Sequence, residues 1–285
     1  MMVVGLGKAG CNVAKAFSKF PQYETYGIDA TRDADITIKK RNAHEEYDKH
    51  FPNLKRKLKF NNEEITVVLC GSGNVSGGIL RLLEQFHQNN KVCVVYIQPD
   101  LSLLSETQKT QERVVRNVLQ EYARSGAIER IYLVDNAAIE KSIGDVSITG
   151  YYETLNQAMV NTLHMINVFE NTEPVIGNFA TPAEISRIAT LGVVSLENQK
   201  EEETWFYDLT NVRDVVYYYG IGRDDLKNDG TLFRKINQFV KSKIKDNLNV
   251  SYGVFETSYE QKYCYCVQYS SVVQSYTQLD DQDIG

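Results

Sequence analysis

Two glycine-rich stretches hold the residues best suited to chemistry. The first runs Gly5-Leu6-Gly7-Lys8-Ala9-Gly10-Cys11-Asn12 and the second Gly71-Ser72-Gly73-Asn74-Val75-Ser76-Gly77-Gly78. Each follows an apolar run and precedes residues with helical spacing, so each reads as the turn of a strand-turn-helix unit. Such a turn gathers free backbone N–H groups at the positive end of a helix dipole, and the missing β-carbons let an anion come close. Phosphate suits that environment. A single Gly-x-Gly-x-x-Gly turn also arises from close strand-helix packing alone. Two turns on separate strands of one parallel sheet converge at its carboxyl edge, where α/β folds bind ligands, and together they point to a nucleotide polyphosphate. Asp29 follows Gly10 by about 20 residues, where a dinucleotide fold grips its ribose, so an NAD(P)-binding oxidoreductase stays open as another reading. That reading leaves the second turn without a role, and no catalytic His or Lys set accompanies it. His44, His50, His87 and His164 show no metal-like pairing. Cys11, Cys70, Cys93, Cys264 and Cys266 are odd in number and scattered, as reduced thiols in a cytosol are.

The elements that must position these turns are legible as alternating strands and helices. Buried strands are expected at 65–70, 92–97 and 131–134, a strand ending in a carboxylate at 24–29, and a polar helix at 106–124. After the second turn, Ile79, Leu82, Leu83 and Phe86 share one helix face. This alternation predicts a Rossmann-like, doubly wound, mostly parallel α/β sheet over 1–150. Leu155, Met159, Leu163 and Ile166 then recur at spacings of four and three, giving a long central helix within 151–175 that links two lobes. The region 176–272 reads as a smaller mixed α/β domain with short helices at 182–189 and 231–244 and Tyr- and Val-rich strands at 215–220, 251–256 and 263–269. Residues 273–285 read as an acidic, flexible tail. The length of 285 residues, 42 % hydrophobic and 24 % charged composition, and net charge of −6 fit a folded protein with no broad basic face for nucleic acid. The apolar start reaches Gly5 too soon for a signal-peptide core or a membrane span, which predicts a cytoplasmic location.

Four motifs, in order and spacing, resemble the tubulin/FtsZ family of GTPases. Gly7-Lys8-Ala9-Gly10-Cys11-Asn12 resembles the first phosphate loop of tubulins, and Gly71 to Gly77 falls where the family has its Gly-Gly-Gly-Thr-Gly-Ser-Gly signature. Val134-Asp135-Asn136 resembles the tubulin Val-Asp-Asn whose asparagine reads guanine. Tyr152-Glu153-Thr154-Leu155-Asn156 resembles the start of the central helix, where a tyrosine stacks on the base and an asparagine one turn later bonds it. The resemblance covers residues 2 to 195 well. It implies GTP or GDP as ligand, with magnesium on the phosphates, and a nucleotide site comprising both loops with Asn136, Tyr152 and Asn156. It also implies Asn12 at the base or ribose, Arg113 at the ribose or phosphates, and Asp29 near the magnesium or sugar. Head-to-tail self-assembly into filaments is implied too. In the family, a loop after the central helix of one subunit presents acid to the nucleotide of the next, and Glu184 stands at the matching position as the expected water-orienting residue. Plainer readings run beside these: Asn136 as a strand-end turn residue, Tyr152 as one of 18 tyrosines, Arg113 as a solvated helix residue, and Glu184 as a first-turn acid at a helix N-terminus.

The pattern departs from the family at three places. Asn74-Val75 replaces Thr-Gly in the signature, no glycine occurs between Gly27 and Gly71 where a γ-phosphate-sensing loop is usual, and Thr181 stands where a second acid is common. The nearest remnant of the missing loop is Arg41-Asn42-Ala43. These changes keep open a nucleotide-binding assembly protein with weak or absent hydrolysis. The length resembles the compact tubulin-like proteins of phages and plasmids, which implies a prokaryotic cytoplasm and a role in positioning or segregating cargo. The acidic tail is a candidate adaptor-docking element.

Overall fold

Strand-forming residues lie in runs that are buried on both faces, so the first half of the chain builds its sheet from the inside outward. The computed structural model describes residues 1–58, 64–86, 90–196, 202–258 and 262–275. The first half is β1 (Met2–Leu6), α1 (Gly7–Phe17), β2 (Glu24–Asp29), β3 (Ile36–Thr37), α2 (His44–Lys49), β4 (Glu64–Cys70), α3 (Ile79–Phe86), β5 (Lys91–Gln98), α4 (Glu106–Arg124), β6 (Arg130–Asp135) and α5 (Asn136–Ile143). Then come α6 (Tyr151–Glu170), β7 (Ile176–Gly177), β8 (Ile188–Ser195), β9 (Glu202–Trp205), β10 (Val212–Gly222), α7 (Arg223–Asn228), α8 (Leu232–Lys243), β11 (Asn249–Thr257) and β12 (Tyr263–Ser270). Among the described residues the strands form one 12-stranded sheet in the order β3-β2-β1-β4-β5-β6-β8-β12-β10-β11-β7, with β9 paired to β8.

From β3 to β6 every neighbour is parallel, so all the carboxyl ends open on one edge. β6 joins the second half through only two parallel pairs, Ile131 with Ile188 and Tyr132 with Ala189. Beyond that seam β8, β12 and β10 are antiparallel neighbours, and β10 runs parallel to β11. One face of the parallel part packs Val4, Val67, Val94 and Leu133 with Leu82 and Phe86 of α3 and Val115 and Leu119 of α4. On the other face Val68, Val95 and Val134 pack against α1 and against Leu155, Met159, Leu163 and Ile166 of α6. Those α6 residues share their core with Tyr218, Phe255 and Val267 of the second half, so the central helix bridges the seam. A third core places Tyr217, Tyr219 and Val254 under Ile236 and Val240 of α8.

The helix expected at 182–189 is absent. Residues 184–185 make a turn and the chain enters β8 at Ile188, because Ile188, Leu191, Val193 and Val194 are β-branched or bulky residues suited to a strand covered on both faces. The short strands β3, β7 and β9 carried no periodic signal. Of the segment 273–285, residues 273–275 lie within the described part and Gln274 is buried there, while the rest, like His87, lies outside it. No helix among the described residues is long and apolar enough to cross a membrane.

Candidate functional site

A cleft of about 520 Å³ opens at the carboxyl edge of β1, β4 and β5. Its floor comes from the first glycine turn, where Gly7 adopts φ +73° and starts α1 directly from the strand. The sharp entry leaves the first-turn amides of α1 without partners in the helix and aimed along its axis. Gly7, Lys8, Ala9 and Asn12 line the cleft. Gly10 and Cys11 do not, and the structure divides the glycine motif between two duties. A β-carbon on Gly10 would overlap the Val68 carbonyl oxygen, and one on Gly5 would overlap the Gly10 carbonyl, so these two glycines let α1 lie against β1 and β4. Cys11 Sγ lies 3.8 Å from the Gly5 carbonyl oxygen. Burial, reinforced by Asp29 and Asp35, pushes its thiol up to about 12, so it remains protonated and inert.

The second turn forms the facing wall with Ser72, Gly73, Asn74, Val75 and Ser76. It closes as a single 3-10 turn over Asn74–Gly78. Ser76 Oγ lies 2.8 Å from the Gly71 carbonyl oxygen and 2.6 Å from that of Gly73, fixing the turn from within. Gly71 and Gly77 serve packing: β-carbons there would overlap the Tyr96 hydroxyl and the His44 carbonyl respectively. Asn74 Nδ2 donates to the Asn42 carbonyl at 3.2 Å, which brings the Arg41-Asn42-Ala43 stretch against this turn. His44 Nε2 lies 3.3 Å from Ser76 Oγ, and burial lowers the pKa of its imidazole.

The remaining wall carries Asn136, Tyr152 and Asn156. Asn136 opens α5, whose N-terminus is capped by Asp135 Oδ1 accepting from the Ala137 amide at 2.8 Å. Gly150, at φ +81°, turns the chain into α6, so that Tyr152 and Asn156, one helical turn apart, face the same opening. Tyr152 is 63 % exposed and meets Tyr151 edge to face at 5.2 Å. A flat, accessible aromatic beside two amide side chains suits a planar base with hydrogen-bonding edges. Asp29, 7 % exposed at the end of β2, also lines the cleft, with Oδ2 accepting from Thr31 Oγ1 at 3.0 Å.

Arg113 is exposed on α4 and does not line the cleft. The loop before α4 lines it instead through Pro99, Asp100, Leu103 and Leu104. These four went unread in the sequence, although Pro99-Asp100 immediately follows a strand whose carboxyl end had to open on the site. Lys8 is the cationic side chain in the lining, and α1 has no acid in its first turn. Among the described residues no three His, Cys, Asp or Glu side chains gather as a metal site. Magnesium takes most of its oxygens from phosphate and water and one or two carboxylates from protein, and the hard oxygens of Asp29 and Asp100 in this cleft fit that mode. Glu184 does not line the cleft: it is exposed in a turn between β7 and β8, just before Arg187, which bonds the Glu129 carbonyl at the opposite, amino edge of β6. The nearby residues Phe179, Thr181 and Pro182 line a separate cavity of about 330 Å³ with Arg130 and Glu170.

No protein-family model matches the sequence, and no curated protein matches it. Solved structures do match. A TubZ of Bacillus thuringiensis serovar israelensis, in GDP-form protofilaments, is 15 % identical with a TM-score of 0.70, covering 95 % of this chain and 87 % of that one. CetZ from Methanosaeta thermophila is 13 % identical with a TM-score of 0.67 over 95 % and 86 %. An empty FtsZ dimer from M. jannaschii is 11 % identical with a TM-score of 0.68 over 94 % and 87 %. The chain therefore has the α/β fold that these TubZ, CetZ and FtsZ structures share.

Proposed function

We propose that this protein binds GTP in the cleft between its two glycine turns and assembles head to tail into filaments, with hydrolysis completed between copies. The observation that carries the reading is the convergence of both turns with Asn136, Tyr152 and Asn156 around one cleft of about 520 Å³. The α1 amides and Lys8 would meet the phosphates, and the aromatic and amide side chains the base. Magnesium, held on the protein side by Asp29, would neutralise phosphate charge when bound. Glu184 of a second copy would orient the attacking water through its carboxylate.

Exposed apolar residues support assembly along the axis of α6. Leu103, Ile148 and Tyr152 stand at the cleft end, and Val175, Ile176, Phe179 and Ile185 follow the other end. Exposed apolar side chains beyond both ends of α6 suit a heterologous contact, which repeats into a filament unless rotation closes a ring. The TubZ neighbour in its GDP-form protofilament is consistent with this. A cytoskeletal role in positioning or segregating cargo follows from such a polymer.

Electron microscopy and sedimentation with GTP, GDP or a slowly hydrolysed analogue test the reading. Polymers with GTP and few with GDP are expected, and a protein that neither binds GTP nor sediments with it refutes the proposal. A second reading, assembly with weak hydrolysis, is favoured by Asn74, whose amide is engaged with Asn42 and Gln111 at the second turn. GTP-dependent polymers with turnover at background would select it.

A further inference from the structure

A buried polar cluster joins the second glycine turn to the C-terminal segment. Behind the turn, Gly71 lies directly against the Tyr96 hydroxyl. Tyr96 Oη lies 3.0 Å from Glu112 Oε1 and 3.1 Å from the Glu112 carbonyl oxygen, on α4. Glu112 Oε1 is 3.4 Å from Arg116 Nε one turn further along. Arg116 Nη1 donates to the Gln274 carbonyl at 2.6 Å, and Gln120 Nε2 donates to the same oxygen at 3.2 Å. The Gln274 amide returns a bond to Gln120 Oε1 at 2.7 Å. Gln274 Oε1 accepts from the Thr210 amide at 2.7 Å, tying the segment down from its other side. Tyr96, Glu112, Arg116, Gln120 and Gln274 are each 0–1 % exposed. On the neighbouring face of the same helix, Gln111 Nε2 reaches Asn74 Oδ1 at 3.4 Å, and the loop leading into α4 is itself a cleft wall.

The geometry points to Gln274 as a positioning residue for the cleft: the C-terminal segment holds α4 through Arg116 and Gln120, and α4 holds the second glycine turn through Gln111 and the Glu112–Tyr96 contact. Buried polar groups are costly unless every partner is present. Loss of the Gln274 contacts therefore leaves the buried Arg116 and Gln120 without their shared acceptor, α4 settles differently on its apolar face, and the wall it supports loosens although no residue of the segment touches the cleft. Residues 276–285, which include Asp280, Asp281 and Asp283, continue directly from this anchor. This inference rests on the cleft being the nucleotide site.

The test measures GTP affinity in full-length Gln120→Ala, Tyr96→Phe and the double variant, each at a temperature where circular dichroism shows it folded. Both bonds made by the Gln120 side chain go to Gln274, so Gln120→Ala removes two of the three bonds between α4 and the segment without touching the cleft. We expect each single variant to weaken GTP binding by about tenfold, and the double variant to lose far less than the product of the two, because they interrupt one chain of contacts. A chain ending at Ser275 keeps the anchor and is expected to bind within about twofold of the full chain. Folded single variants with unchanged GTP affinity overturn the positioning role while leaving the nucleotide site standing. Multiplicative losses in the double variant also overturn it, because they mean two independent effects. Failure of the full-length protein to bind GTP overturns the nucleotide reading itself, and the inference with it.

Discussion

The division of labour among the glycines predicts that Gly10→Ala and Gly73→Ala act on different properties. A β-carbon on Gly10 would overlap the Val68 carbonyl oxygen and lie 3.0 Å from the Gly5 carbonyl carbon and 3.1 Å from its Cα. All of these are backbone atoms of paired central strands, since Gly5 and Val68 are register partners between β1 and β4, so no side chain can rotate away. Overpacking of this kind costs roughly 1–3 kcal/mol, and backbone on every side puts the cost near 3. Alanine recovers about 1 kcal/mol of helix propensity in α1. The net loss is about 2 kcal/mol, which at roughly 2–4 °C per kcal/mol lowers Tm by roughly 4–8 °C. Gly73 has open space around its missing β-carbon and an extended φ of −90°, so Gly73→Ala should change stability by less than about 0.5 kcal/mol. Because Gly73 lines the cleft, the same substitution should weaken a polyphosphate ligand. Thermal and urea melts together with GTP titration separate the two effects. A Gly10→Ala protein as stable as the wild type would refute the packing assignment.

Two further outcomes follow from single residues. Glu184→Ala should slow phosphate release by about a hundredfold or more, the usual size of a lost general base, while GTP-dependent polymers persist or live longer; unchanged turnover removes Glu184 from the chemistry. His164 is buried on α6, stacked on Phe20 at 3.8 Å, with Nδ1 3.1 Å from Tyr23 Oη and 3.3 Å from Gln22 Nε2. Burial lowers its pKa below the ordinary 6.5, so the folded state binds fewer protons than the unfolded one, and its stabilisation is complete above pH about 6.5 and is lost as pH falls through the native value. Urea melts from pH 7.5 to 5.5, a window set by the ordinary imidazole value of about 6.5, should show wild type losing more stability than His164→Phe, which keeps the ring stack; parallel curves would sink the assignment. Taking the difference between the two proteins removes the similar contribution of His44 and the opposite one of Glu112, whose pKa burial raises.

The parallel half was legible because its signals are local. A strand buried on both faces is a continuous apolar run, a glycine turn follows it, and a helix face repeats every three or four residues. The helix at Glu106–Arg124 and the long helix containing Leu155, Met159 and Leu163 were readable for that reason. β8 was not, because Pro182 and Glu184 mimic a helix start while the deciding fact, cover on both faces of Ile188–Ser195, is tertiary. Within the site, the two glycine turns were readable from residue type and spacing, whereas Asn136, Tyr152 and Asn156 were singled out only by the family resemblance. Arg113 was not placeable, since helix phase decides which of Gln111, Glu112 and Arg113 turns inward, and Gln111 and Glu112 do. Gln274 was invisible for a similar reason. A polar residue in an acidic, aperiodic stretch reads as solvated unless its buried partners, here more than 150 positions earlier in the chain, are known.

The separation between the cleft and Glu184 carries its own consequence. Tyr152 and Asn156 lie in the first turns of α6 at the cleft, whereas Glu184 lies just before Arg187, whose guanidinium donates to the Glu129 carbonyl at the amino end of β6, the sheet edge opposite the cleft. A helix of 20 residues rises about 30 Å, several times the reach of a glutamate side chain. The helix is packed into both halves of the sheet, so bending it to close that distance would dismantle the core around Leu155, Met159, Leu163 and Ile166. Any action of Glu184 on a ligand in such a cleft must therefore occur in another copy of the chain. Turnover per molecule should then rise with protein concentration and level off once assembly is complete. Glu184→Ala protein should also act as a poison when mixed with wild type, because each variant subunit leaves one neighbouring cleft without its carboxylate. Turnover independent of concentration, or mixtures that lose activity only in proportion to dilution, would place the chemistry within a single chain and remove Glu184 from it.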